Sequence, residues 1–321
     1  MCILDKKINM IRDMKIYAAP LQGFTEAAWR NAHEGVFGGV DAYYTPFVRL
    51  EKGEIRNKDR KEVSCERNRV AHLVPQVIAS TPEELAVLVD FLMAQGYREM
   101  DLNMGCPFPP VVNRKMGSGL LPYPERVEAL LEALRAYPDG MFSVKMRLGW
   151  QEPEEWRAVL PLLNGSVVKQ ITLHPRIGKQ QYKGTVDLES FASFYEACEV
   201  PLVYNGDLYS VEEMQQVMTR FPRLSGLMIG RGLLANPSLA AAFRDGKPWQ
   251  QEVLYRKVAE MHDQLLATYE QTMEGGEAQL LHKMKTMWEY LLPDMDKKAR
   301  KQLLKCSRLD AYLRAVREAL F

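Results

Sequence analysis

The sequence predicts an α/β fold, a (β/α)8 TIM barrel with a C-terminal all-helical domain, on three observations. Eight short β-rich runs recur between residues 15 and 232, segments of helical period separate most of them, and the strand rhythm stops after about residue 245. An open doubly wound sheet is the main rival, but no GxGxxG follows the first strand.

The runs are KIYAAP (15–20), DAYYTPFV (41–48), LVPQVI (73–78), EMDLNMG (99–105), FSVKMRL (142–148), QITLHPR (170–176), PLVYNGD (201–207) and GLMIGRG (226–232). Between them, STPEELAVLVDFLMAQG offers Thr81 as N-cap, Pro82 at the first helical position, Glu84 for a capping box and Gly96 as terminator. SVEEMQQVMTRF repeats the device with Ser210 and Glu213, and Val127, Leu130, Leu131 and Leu134 form the apolar stripe of another helix. Near the end, WQQEVLYRKVAEMHDQLLATYEQ and KARKQLLKCSRLDAYLRAVREALF each read as an amphipathic helix. The expected organisation is a lead at 1–15, a barrel at 16–244 and a helical domain at 245–321.

The 321 residues are 47% hydrophobic, enough for one large core plus a smaller companion, and a formal charge of +1 neither requires nor excludes a nucleic-acid partner. Five cysteines stand scattered without CxxC spacing, which argues against a disulfide framework or a cysteine zinc site. No signal-peptide core or membrane-length apolar run is present, so a cytoplasmic protein with no membrane partner is expected, with a monomer as the default. Between residues 283 and 317, ten basic residues face four acidic ones, a patch suited to phosphate contacts, although a solvated helix face is the bland reading. The charged stretch 49–70 mixes signs and reads as solvated loop or helix.

In a barrel the C-terminal strand ends carry the active site, and the reactive side chains collect there. These are APLQG after the first run, Gln76 in the third, Asn103 and Cys106 at the fourth, Lys145 and Arg147 in the fifth, and His174 and Arg176 in the sixth. The seventh and eighth end in NGD and IGRG, which suits a phosphate cradle: Asn205, Gly206, Asp207, Gly230 and Arg231. Ordinary turn chemistry is the alternative. Strand alternation points Lys145 and Arg147 the same way, so an anionic ligand is expected, with salt bridges to a residue such as Asp101 as the competitor. His174 has no second histidine at ligand spacing, so no metal is expected. Cys106 sits in a turn between Gly105 and Pro107, an unusual place for a cysteine that only packs.

APLQGFTE, LNMGCPFPPVVNRKMGSGLL, VKMRLGW, LHPRIGKQQYKG, YNGDLYS, IGRGLLANP and HKMKTMWEYLLP occur in this order, and in this the sequence resembles the tRNA-dihydrouridine synthase family over roughly residues 16–320. The resemblance implies an FMN-holding barrel, NADPH as reductant, and a C-terminal helical domain that grips tRNA. It makes Cys106 the acid that protonates C5 of a uridine while hydride reaches C6. Pro20, Leu21 and Gln22 match the segment passing the flavin ring. Gln76 and Lys145 match its polar contacts, His174 lies near it, and Asn205, Gly206, Asp207, Gly230 and Arg231 match the phosphate cradle. Asn103 and Arg176 are candidates for reading the uracil edge, and Lys283 and Lys285 for contacting tRNA. Leu21 stands where the family commonly has Met, HPR has proline where glycine is common, and FPPVV replaces residues that are more often polar or basic. Other readings are a ribosomal RNA target, an FMN barrel acting on a small pyrimidine as dihydroorotate dehydrogenase does, and a non-catalytic RNA-binding module.

Overall fold

The structure, a computed structural model, describes residues 13–321. Most of the expected lead at 1–15 therefore lies outside the described residues, and Lys15 already belongs to the first strand.

Among the described residues there are eleven strands: β1 (Lys15–Ala18), β2 (Ala42–Tyr44), β3 (Leu50–Glu51), β4 (Glu54–Ile55), β5 (Leu73–Val74), β6 (Gln76–Val77), β7 (Glu99–Met104), β8 (Met141–Gly149), β9 (Val168–Ile177), β10 (Leu202–Tyr204) and β11 (Gly226–Ile229). β3 and β4 form a small antiparallel hairpin. The rest make one parallel sheet in the order β5-β2-β1-β11-β10-β9-β8-β7-β6. Pro75 explains why this order begins and ends on the third run. It has no N–H to donate, so the strand changes partner there: Leu73 and Val74 pair with Tyr43 and Tyr44, while Gln76 and Val77 pair with Asp101 and Leu102. The Pro75 carbonyl accepts from Asp101 N at 2.9 Å, and Val48 bonds to both Gln76 and Ile78 at the backbone. β5 and β6 are thus two halves of one strand, and the sheet is a closed eight-stranded parallel barrel.

The helices around the barrel are α1 (Ala27–Val36), α2 (Asn57–Glu62), α3 (Pro82–Ala94), α4 (Pro109–Val112), α5 (Pro124–Leu134), α6 (Trp156–Asn164), α7 (Leu188–Ala197), α8 (Val211–Arg220), α9 (Arg231–Ala235) and α10 (Leu239–Asp245). Ser210 and Glu213 make a complete capping box at α8. At α3, Thr81 Oγ1 accepts from Glu84 N, but the Glu84 carboxylate turns to the amide and hydroxyl of Ser80, which outcompete the Thr81 backbone. Val127, Leu130, Leu131 and Leu134 all face the core.

A helical region of α11 (Gln251–Thr272), α12 (Gly276–Thr286), α13 (Lys297–Lys305) and α14 (Leu309–Leu320) follows. The expected single helix from 298 to 321 is two helices broken at Cys306–Arg308, where the backbone becomes extended. Burial supplies the reason. Leu303 and Tyr312 are both fully buried, yet at about 100° per residue one straight helix would set them on opposite sides. Only a break lets both reach one core.

That core is centred on Tyr312, whose hydroxyl meets His262 Nε2 at 3.0 Å, Trp288 Nε1 at 2.8 Å and the Met284 carbonyl at 3.3 Å. The region is tied to the barrel by α11 against α1, by Leu292 N to the Ala235 carbonyl at 2.9 Å, and by the Phe24–Tyr290 ring pair at 5.0 Å. Tyr312→Phe leaves the buried Trp288 N–H without its acceptor and lowers stability by about 1–3 kcal/mol, measured by chemical denaturation.

Candidate active site

A cavity of about 580 Å³ opens at the carboxyl ends of the barrel strands, and each of the eight strands of the barrel, or the segment that follows it, contributes to its wall. Volumes in this range hold cofactors or drug-sized ligands. Pro20, Leu21, Gln22, Gln76, Asn103, Cys106, Lys145, Arg147, His174, Asn205, Gly206, Asp207, Gly230 and Arg231 all line it, brought together by parallel strands that end on one face.

The cysteine turn is held by a chain of hydrogen bonds that starts inside the barrel. Asp101, fully buried, accepts from Ser143 Oγ at 2.6 Å and from Gln76 Nε2 at 2.7 Å. Burial pushes its carboxyl up to about 6 against the pull of those donors and of the Lys145 charge. Gln76, with its amide N so engaged, presents Oε1 to Asn103 Nδ2 at 2.7 Å. Asn103 Oδ1 must then face the turn, where it accepts from Gly105 N at 3.0 Å and Cys106 N at 2.9 Å. Against the expectation that Asn103 reads a base edge, its carbonyl is fully engaged in shaping the turn.

The Gly-Ser-Gly motif completes the clamp. Ser118 donates from both N and Oγ to the Cys106 carbonyl at 3.0 Å. Gly117 has φ +57° and packs so closely that a Cβ would lie 2.6 Å from the same carbonyl oxygen, so only glycine fits. Burial raises the Cys106 thiol, while a Phe108 backbone hydrogen bond and the charges of Arg147, Lys145 and Arg49 pull it down. The sulfur therefore carries its proton at neutral pH.

Lys145 and Arg147 part company. The Arg147 fork donates to three carbonyls, those of Gly105 (3.0 Å), Ile177 (2.9 Å) and Gln181 (2.6 Å), which removes it from the anion-binding pair expected from strand alternation. Lys145 Nζ makes no hydrogen bond or ion pair with any described residue, Asp101 included. Burial, then Arg147, lowers its pKa to about 8. It is a half-buried cation facing open space.

His174 Nε2 receives a hydrogen bond from Arg176 Nη1 at 3.1 Å, which puts the ring proton on Nδ1, where no described residue accepts it. Burial, followed by Arg147, Lys145, Arg176 and Arg231, depresses its pKa well below the usual value, so the ring is neutral.

Arg176, expected at the mouth, is not there. It is 1% exposed, and its fork is spent on Asp207 (Nη1 to Oδ1, 3.0 Å), His174 and the Gly184 carbonyl (2.7 Å). Asp207, held at φ +37°, also accepts from Arg231 Nη2 at 2.8 Å. Two guanidiniums thus outweigh one carboxylate beside the two glycine loops. The amides of Gly206, Asp207, Arg231 and Gly232 donate to no acceptor among the described residues, which leaves four N–H groups at this end of the cavity.

Lys283 and Lys285 are also engaged. Lys283 Nζ pairs with Glu26 Oε2 at 2.5 Å and reaches the Gly23 carbonyl, bridging the helical region to the barrel. Lys285 Nζ donates to the Cys306 carbonyl at the break between α13 and α14. Both belong to the architecture, not to a free surface.

Sequence reasoning missed Arg49, Arg56 and Lys58, which line the cavity from the β3–β4 hairpin and α2. Their mixed-sign surroundings masked them, and only the insertion after β2 brings them to the rim. Phe108, Tyr182, Tyr209 and Tyr290 are further wall residues that no motif signalled.

Gly117→Ala forces a side chain against the Cys106 carbonyl at a positive φ and costs about 1–3 kcal/mol, seen as a lowered melting temperature together with a changed alkylation rate at Cys106.

The dihydrouridine synthase (Dus) family model matches residues 17–321. The chain is 31% identical to the tRNA-dihydrouridine(16) synthase of Pseudomonas syringae pv. tomato over 244 residues, covering 71% of this chain and 74% of that protein. It is 30% identical to the tRNA-dihydrouridine(16) synthase of Pseudomonas putida over 251 residues, covering 74% and 76%. With tRNA-dihydrouridine synthase B of Pasteurella multocida it shares 28% identity over 232 residues, covering 70% and 67%. A match that runs from the first barrel strand to the last helix places this chain in a family of tRNA-modifying enzymes: it belongs to the dihydrouridine synthase family.

Proposed function

We propose that the protein reduces uridine in tRNA to 5,6-dihydrouridine with bound FMN, that NADPH recharges the flavin, and that Cys106 supplies the proton to C5. The observation that carries this reading is a cysteine clamped by Asn103 and Ser118 at the mouth of a cavity that also holds Lys145, without a hydrogen-bond or ion-pair partner among the described residues.

The residues present fit FMN. At one end of the cavity, four free amides and the Asp207-tethered Arg231 suit a phosphate. Lys145 would offer a positive charge to the electron-rich N1–C2=O edge of a reduced flavin, and His174 Nδ1–H would offer a neutral donor. Pro20, Leu21 and Gln22 line the cavity and would flank the flavin ring. When bound, FMN supplies the hydride that goes from N5 to uracil C6.

The chain's own part is proton delivery and positioning. Addition of hydride at C6 builds negative charge toward C4=O, and C5 then needs an acid. Cys106 holds one on a turn that Asn103, Ser118 and Arg147 prevent from drifting. After transfer the thiolate lies in the field of Lys145, Arg147 and Arg49, which favours it until solvent returns the proton.

A stacked uridine must leave the RNA to enter the cavity, at a cost of a few kcal/mol that backbone contacts offset. The surface best suited to them is α13. Lys297, Lys301 and Lys305 recur every fourth residue on one helical face, all exposed, with Lys298 beside them and no ion pair on any. This face replaces Lys283 and Lys285 as the tRNA-contacting group.

Cys106→Ala keeps FMN and tRNA binding and loses most turnover, about 100-fold or more, in a dihydrouridine assay on unmodified tRNA. Normal product formation would refute the role of the thiol. Because the protonated form of Lys145 is the one that attracts an anionic edge, and its pKa lies at about 8, affinity for reduced flavin falls as pH rises through that value. Lys145→Met abolishes this pH dependence in a titration under reducing conditions. Replacing Lys297, Lys301 and Lys305 together by Gln weakens tRNA binding and lowers the salt slope by about 2–3 in anisotropy titrations.

A further inference from the structure

We propose that the cavity mouth carries a second nucleotide subsite beside the target uridine, in which the Phe108 ring stacks a flanking base and Arg49 and Lys58 take its phosphate. The inference rests on the tRNA reading above and adds how the neighbouring nucleotide is held.

Phe108 is 56% exposed and lines the cavity two residues after Cys106. A single exposed phenylalanine says little by itself, but this one is fixed in place. It stands between Pro107 and Pro109, and its carbonyl accepts from Val111 N at 2.9 Å and Val112 N at 3.0 Å. Ordering this backbone is complete before any ligand arrives, so stacking on the ring costs little further entropy. The ring also has no competing partner: it meets no aromatic ring or cation among the described residues. Two other rings of the wall are occupied. Tyr182 has the guanidiniums of Arg147 and Arg231 over it at 5.3 and 4.6 Å, and Tyr290 meets Phe24 edge-on at 5.0 Å.

The cations come from the insertion after β2. Arg56 is locked to Asp59 by two hydrogen bonds of 2.8 Å. Lys58 makes no hydrogen bond or ion pair among the described residues. Arg49 Nε is buried without a partner, and its fork touches only Glu51 at 3.4 Å. A rigid free ring, an unpaired Lys58 and an Arg49 held only by Glu51 at 3.4 Å share one mouth and match a ribonucleotide, which presents a π face and a phosphate. A site that admitted only a free pyrimidine would need neither.

The test titrates tRNA lacking dihydrouridine against the full chain across a salt series, for the parent, Phe108→Ala, Phe108→Tyr and the Arg49→Gln/Lys58→Gln pair. Phe108→Ala binds about tenfold more weakly with the salt slope of the parent, Phe108→Tyr restores binding, and the cation pair lowers the slope by about 2. The alkylation rate of Cys106 in Phe108→Ala equals that of the parent, since only the ring is removed. The subsite is overturned if Phe108→Ala binds within twofold of the parent, if its salt slope falls as in the cation pair, or if its weakening comes with an altered Cys106 rate. Dihydrouridine formation by the parent is scored separately. Its absence strikes the tRNA reading, whereas its presence with undiminished Phe108→Ala binding strikes the subsite alone.

Discussion

The orientation of one amide, that of Asn103, underlies the geometry of the whole site. An asparagine amide can flip its oxygen and nitrogen at little intrinsic cost, so something must decide which end faces the cysteine turn. Here the decision is made inside the barrel: Asp101 can only accept, so Gln76 must turn its N–H₂ inward and its oxygen outward, and Asn103 must follow. The Asn103 oxygen then gathers two consecutive amides and draws the chain into the turn that exposes Cys106. A buried carboxylate is an expensive place to anchor such a chain. Two short hydrogen bonds and the field of Lys145 offset that cost, and its upward-shifted pKa is what remains of the conflict.

Charge is divided by side-chain type. Three buried arginines and the half-buried Arg300 serve the backbone: Arg30 holds the carbonyls of Thr25 and Glu62, Arg147 holds three, Arg176 joins Gly184 to Asp207, and Arg300 collects those of Trp288, Leu291 and Leu292. A planar fork with several donors suits loops whose carbonyls have no strand or helix to join. The uncommitted cations are mostly lysines, Lys145 inside and Lys297, Lys301 and Lys305 outside. A compact charge on a flexible stem remains free to meet a ligand once the arginines have secured the frame.

Much of the fold was legible because its signals are local. The eight runs became eight strands, with Pro75 splitting the third; Ser210, Gly96 and the Val127–Leu134 stripe did what their chemistry suggests. The strand-end residues were legible as a set for the same reason, since parallel closure sends all of them but Arg176 to one rim. Individual assignments failed where a partner lay far away in sequence. Arg176 looks free until Asp207, 31 residues on, is seen to hold it, and Lys283 looks like a surface cation until Glu26, 257 residues earlier, is seen opposite. The 49–70 stretch reads as solvated because sign counting does not reveal which three of its cations an insertion turns toward a cavity.

What the sequence determined by itself was the succession of elements, the closure of eight parallel strands and the identity of the side chains delivered to their ends, because periodicity, caps and turn residues act over a few positions. The tertiary structure alone decided which of those side chains are consumed in holding the frame and which remain available for chemistry. Hydrogen-bonding capacity is finite and shared across the whole molecule. Whether Lys145 is free and Arg147 spent depends on carbonyls that only the folded chain brings within reach.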